Sequence, residues 1–223
     1  VSLYNQNPAG AIDPTPTVGM VGLVEKPEHI TSQWFKDEDD AILLLGQAVE
    51  SDDPLLGLGG SALLQVEHGR KEGTPPPCDL AKEKTLHDAL LGLIETGVVK
   101  SAHDCAEGGL AVALAECAIS ELTARQTPRL TGAEIDLSEA ECERLDALLY
   151  GEAHGRVIIT TSEAEAGAAV DRAKLLGVPS ARIGTVTGSD TLDVKAGDNS
   201  LSWNLSDLHD VWWNTIARVM DKK

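Results

Sequence analysis

The chain has 223 residues, of which 42% are hydrophobic, 24% charged and only 3% aromatic. That length can bury a sizeable core, filled by aliphatic side chains and alanine rather than by rings. A formal net charge of -18 weighs against a nucleic-acid backbone or an anionic membrane surface as partner, because like charges repel.

The elements follow in chain order. "VSLYNQ" at 1–6 reads as part of a strand, and the absence of an initial methionine there leads us to expect a fragment carrying part of a site. "PTPTVGMVGLV" at 14–24 is apolar and glycine-punctuated, which predicts a buried strand with close backbone approach. "AILLLGQ" at 41–47 predicts a second short strand, entered from the acidic turn "KDEDD". Glycine and proline concentrate in "VEHGRKEGTPPPCDL", which places a hinge or domain boundary near 66–78.

From Asp79 the pattern alternates between helix and strand. "DLAKEKTLHDALLGLIETG" puts Leu80, Leu86, Ala89, Leu90, Leu93 and Ile94 mainly on one side of a helix, with Asp79 as cap and Gly97 as stop. "VVKSAHD" is a predicted strand and "LAVALAECAIS" a helix buried on most sides. "GAEIDL" is a strand. "SEAECERLDALLYG" is an amphipathic helix with Ser138 as N-cap and Glu141 completing a capping box. "RVIITT", "ARIGTVTG" and "TLDVKAG" are strands, and "SEAEAGAAVDRAKLLG" is a helix. The closing helix, "SDLHDVWWNTIARVMDKK", is expected to pack Trp212, Ile216 and Val219 on the body.

Cys78, Cys105, Cys117 and Cys142 form neither a CxxC pair nor a disulfide framework, which fits a reducing cytoplasm. The six histidines show no HxH or HExxH spacing, so a histidine metal site is not expected. No leader or apolar run of membrane-spanning length is evident.

Two stretches could carry chemistry. In "SAHDCAEGGLAVALAECA", Gly108 and Gly109 precede a helix, where backbone N–H groups and the helix dipole favour an anion such as phosphate. Asp104 beside them could ligate Mg²⁺, and the competing reading is a turn that merely redirects the chain. It is neither a Walker loop nor a GxGxxG fingerprint. In "LLYGEAHGRVIIT", Glu152 and His154 lie between a helix and a strand, either facing a ligand or simply solvated.

Taken together, "VSLYNQ", "IDPTPTVGMVGLVE", "LGGSALLQVEHG", "SAHDCAEGGLAVALAE", "LYGEAHGRVIIT" and "RIGTVTG" resemble, in that order, the second half of the synthetase subunit of the formylglycinamide ribonucleotide amidotransferase family, also called phosphoribosylformylglycinamidine synthase. The resemblance covers nearly the whole chain. It implies an α/β (α+β) architecture like that of aminoimidazole ribonucleotide synthetase: residues 1–66 as the end of a barrel-forming A domain and 67–223 as the α/β B domain. It also implies ATP and Mg²⁺ as cofactors, a small-molecule substrate, and three partners: the N-terminal half of the same subunit, a glutaminase subunit and a small accessory subunit.

Carried over by position, Ser2 matches a substrate-binding serine, whereas the family's metal-binding asparagine would precede Val1 and its catalytic histidine belongs to the first half. Asp104, Gly108, Gly109 and Glu152 map onto a nucleotide, phosphate or metal site expected to be vestigial. "GEAHGR" stands where "GESQSR" is usual, so Ala153 and His154 lack the serine and amide groups of the first-half counterpart. No catalytic residue is expected in the chain, which alone should be inactive. The alternatives are another ATP-using enzyme of the same superfold, such as a selenophosphate synthetase or thiamine-phosphate kinase, or a non-catalytic partner-binding module.

Overall fold

The computed structural model describes residues 5–8, 10–13, 17–49, 52–124, 126–140, 142 and 144–221. The chain divides into two compact units, Val1–Ile30 and Thr31–Lys223.

In the first unit β1 (Asn5–Asn7) pairs antiparallel with β2 (Gly10–Ile12). A single 3-10 turn, Pro27–His29, starts on the proline. The strand predicted over 14–24 does not form across its described part: residues 17–24 join no sheet, and Val18, Met20, Val21 and Leu23 are each more than 80% exposed. A strand is stable only when its N–H and C=O groups find a ladder partner, and none of the described residues supplies one.

The second unit runs β3 (Ala41–Leu45), α1 (Ala62–His68), α2 (Leu80–Glu95), β4 (Ser101–Asp104), α3 (Gly109–Ile119), β5 (Glu121–Ala124), β6 (Thr127–Arg129), β7 (Gly132–Asp136), α4 (Leu145–Tyr150), β8 (Val157–Thr161), α5 (Glu163–Leu175), β9 (Ser180–Thr187), β10 (Thr191–Ala196), β11 (Asn199–Asn204) and α6 (Leu205–Met220). Seven strands make one mixed sheet in the order β11-β10-β7-β9-β3-β8-β4. Only β10 and β7 pair parallel; the other neighbours are antiparallel. The fold is the expected mixed α/β class.

Strand β3 explains the layering. All five of its residues are buried, so neither face can meet water and both must be covered. Ile42 and Leu44 enter one core with residues of α3 and α4, while Ala41, Leu43 and Leu45 enter a second with residues of α2 and α5. Strand β8 repeats the division, with Ile158 in the first core and Val157 and Ile159 in the second.

Local signals account for the helix ends. The Asp79 carboxylate accepts from the N–H groups of Ala81 at 2.9 Å and Lys82 at 3.2 Å, and Gly97 closes α2 at φ +75°. Helix α4 is shorter than predicted. Ser138 does not cap it; its N–H donates to Asp136 Oδ1 at 2.9 Å, holding a turn after β7 that delays the helix to Leu145. Glu141, the expected second half of the capping box, lies outside the described residues. On α6 the expected packing is only partial: Trp212 is 40% exposed although it reaches Glu116, and Ile216 is 79% and Val219 65% exposed. Helix α1, the β5–β6 hairpin and β11 were not among the predicted elements.

Leu43 is fully buried on an interior strand of the sheet. Leu43→Ala should therefore lower unfolding free energy by about 3 kcal/mol, read as a lower urea midpoint at unchanged slope.

Candidate functional site

The turn flagged in the sequence joins edge strand β4 to α3. Gly108 is the N-cap of α3 at φ +80° and Gly109 follows at φ +66°. Two successive left-handed residues turn the chain sharply into the helix, a conformation most side chains resist. A Cβ on Gly109 would lie 2.6 Å from the Gly151 carbonyl oxygen, so the position also permits direct contact with the loop after α4.

That loop places Glu152 at the turn. Glu152 Oε1 accepts from the Gly108 N–H at 2.8 Å and from the Ala62 N–H, the first residue of α1, also at 2.8 Å. The Gly109 N–H donates to the Ala106 carbonyl at 3.0 Å. The structure thus brings Gly108 and Glu152 together across 44 residues of sequence and leaves neither glycine N–H pointing freely at solvent.

Three segments lock the loop. The Glu152 N–H donates to the Gly57 carbonyl at 2.8 Å. The buried Asp53 carboxylate in turn accepts from the N–H groups of Gly57 at 2.7 Å and Leu55 at 2.9 Å. Buried Arg156 donates from its guanidinium to the carbonyls of Ala48 at 3.0 Å and Gly151. The Arg156 carbonyl accepts from the Cys105 N–H at 3.0 Å. Gly57 sits at φ +80°, where a Cβ would lie 2.9 Å from the Glu152 nitrogen. Gly57→Ala should cost about 2 kcal/mol through left-handed strain, and the collision should also displace Glu152. Thermal unfolding and the Gly108 amide resonance together read both effects.

The electrostatics beside the turn are acidic. Glu83, Asp104, Glu107 and Glu152 line a cavity of about 350 Å³ together with His87, His154 and a single cation, Arg156. The Asp104 side chain is 73% exposed and lies 3.6 Å from His103 Nδ1. Among the described residues no group of three or more His, Cys, Asp or Glu side chains is placed to hold a metal ion. Ala153 is buried and His154 exposed. Ser2 lies outside the described residues. Burial pushes the Cys105 thiol up to about 11, and Cys117 is raised by burial too, so both stay protonated near neutral pH and neither is an activated nucleophile.

A polar group that the sequence did not single out as a unit lies behind the turn. His103 Nε2 pairs with Glu116 Oε2 at 2.8 Å, and Trp212 Nε1 donates to Glu116 Oε1 at 3.2 Å. This ties β4, α3 and α6 to one carboxylate. The hydrogen bond from His103 holds Glu116 below its ordinary value of 4.5, overcoming the upward push of burial, with Trp212 assisting. A depressed carboxylate stabilises the fold above its unfolded value and loses that contribution as pH falls through the folded one. Glu116→Gln should therefore flatten the acid limb of stability below pH 4.5, measured by urea unfolding at stepped pH.

This sheet, with helices on both faces and a glycine turn fastened by a neighbouring loop, defines a class of domain. Residues 37–197 match the family model "AIR synthase related protein, C-terminal domain", and the chain belongs to that family. Within it, the chain is similar to the protein named phosphoribosylformylglycinamidine synthase subunit PurL of Anaeromyxobacter dehalogenans (strain 2CP-1), at 39% identity over 99% of this chain and 28% of that protein. The chain thus spans less than a third of the length of that relative. Among solved structures, T. maritima PurL complexed with FGAR superimposes with a TM-score of 0.65 at 20% identity, covering 82% of this chain and 30% of that one. T. maritima PurL complexed with ATP gives 0.61 at 19%, covering 82% and 28%. At such identities these two structures establish likeness of fold alone.

Proposed function

We propose that the chain is the C-terminal part of the synthetase subunit of phosphoribosylformylglycinamidine synthase, acting in the cytoplasm. The observation that carries this reading is 39% identity to a curated subunit over 99% of the chain. The reaction converts formylglycinamide ribonucleotide to formylglycinamidine ribonucleotide: ATP phosphorylates the amide oxygen, and ammonia then displaces phosphate. An amide oxygen is a poor leaving group and a phosphate a good one, so ATP with Mg²⁺ supplies the activation. The N-terminal half of the same subunit, a glutaminase subunit and a small accessory subunit are the partners in this reading; the word "subunit" in the relative's name is consistent with a multi-chain enzyme.

The turn formed by Asp104, Gly108, Gly109 and Glu152 fits a vestigial site. Its carboxylates would repel nucleotide phosphates, and the Gly108 amide already has an acceptor. No step of the reaction is assigned to this turn. Ser2 is the position we assign to substrate binding, and catalytic groups are assigned to the rest of the subunit. Residues 1–66 are assigned to the end of the barrel-forming A domain and 67–223 to the B domain. The division between compact units falls after Ile30, inside the first range, and Ala41–Leu45 is a strand of the seven-stranded sheet.

The isolated chain and the full-length protein should be assayed side by side with ATP, Mg²⁺, formylglycinamide ribonucleotide and ammonia. Turnover is expected only from the full-length protein; turnover by the isolated chain, or none by either, would overturn the reading. In the full-length protein Ser2→Ala should raise KM or lower kcat, and unchanged kinetics would remove Ser2 from the site.

A further inference from the structure

We propose that Glu152 is a resident anion: its carboxylate occupies the place at the Gly108 turn that a phosphate oxygen would take, and so closes the turn to phosphate. This rests on the geometry of the turn and not on the reaction assigned to the protein.

One oxygen, Oε1, accepts from two backbone amides that belong to different segments, Gly108 and Ala62, each at 2.8 Å. Both stand at the start of helices, where backbone donors lack intrahelical acceptors and the dipole favours negative charge. A carboxylate satisfies these demands as a phosphate would, but it is covalently part of the chain. Its position is set by its own backbone, because the Glu152 N–H is bonded to the Gly57 carbonyl at 2.8 Å and Gly57 is held by buried Asp53. Glu152 also lines a cavity that carries Glu83, Asp104 and Glu107 against the single guanidinium of Arg156, and this net negative charge opposes a phosphate that would displace the carboxylate. Glu152 is thus a positioning residue, whose role is to fasten the start of α1 to the start of α3.

The test uses the 223-residue chain labelled with ¹⁵N and titrated with inorganic phosphate, against sodium chloride at equal ionic strength. In the wild type the Gly108 and Ala62 amide resonances should show no saturable shift. In Glu152→Ala the Gly108 resonance should move saturably with phosphate, a response absent from the wild type. Glu152→Gln keeps an acceptor oxygen but loses the charge, so both resonances should shift from their wild-type positions before any phosphate is added. The proposal fails if wild-type Gly108 responds to phosphate as strongly as the alanine variant. It fails equally if the folded alanine variant gains no response, or if the glutamine spectrum matches the wild type at both amides. Should Glu152→Ala not fold, the wild-type titration and the glutamine shifts still decide the matter.

Discussion

Five consecutive buried aliphatic residues, Ala41–Leu45, impose the main constraint on this chain. A strand with no polar face cannot lie at a surface, so the sheet must be covered on both sides. It enters between β8 and β9, antiparallel to both, and thereby joins segments more than a hundred residues apart. The covering helices then divide, α2 and α5 on one face and α3 and α4 on the other. The glycine turn stands where it does because α3 must lie against the second of these faces while β4 extends the sheet edge beside β8.

Once the layers are set, the ends of the elements need polar partners, and the loop after α4 and the segment between β3 and α1 supply them. Asp53, Glu152 and Arg156 are three charged groups used almost wholly on backbone: on the amides of Leu55 and Gly57, on those of Ala62 and Gly108, and on carbonyls including those of Ala48 and Gly151. Charge spent on backbone in this way is unavailable for a ligand. The surrounding carboxylates add to the effect, and the two buried cysteines are held protonated. At this turn the Glu152 carboxylate fastens the starts of α1 and α3 together. Its design is that of a joint.

Apolar surface is left uncovered in each compact unit considered by itself. Residues 17–24 expose Val18, Met20, Val21 and Leu23 in the first, and α6 exposes Ile216, Val219 and Met220 in the second. Contiguous exposed apolar groups of this kind mark surfaces that other protein covers. That is consistent with a chain spanning 28% of the length of a curated relative.

What the sequence determined by itself is what short-range physics controls. Helix α2 is legible because Asp79, the spacing of Leu86, Ala89 and Leu93, and Gly97 all act within one helix length. Strands β3 and β8 are legible as apolar runs, and the family is legible in the motifs from "VSLYNQ" to "RIGTVTG". Tertiary structure decided the rest. The sequence marks Gly108 and Glu152 as separate polar features, but only the fold places one carboxylate oxygen on the amides of both Gly108 and Ala62. The Asp136 carboxylate holds the Ser138 amide in a turn after β7, and the helix expected from Ser138 starts only at Leu145. The apolar run at 17–24 forms no strand over its described residues because a strand is a property of two segments. Local chemistry names the donors and acceptors in a chain; which of them meet depends on contacts between residues far apart in sequence.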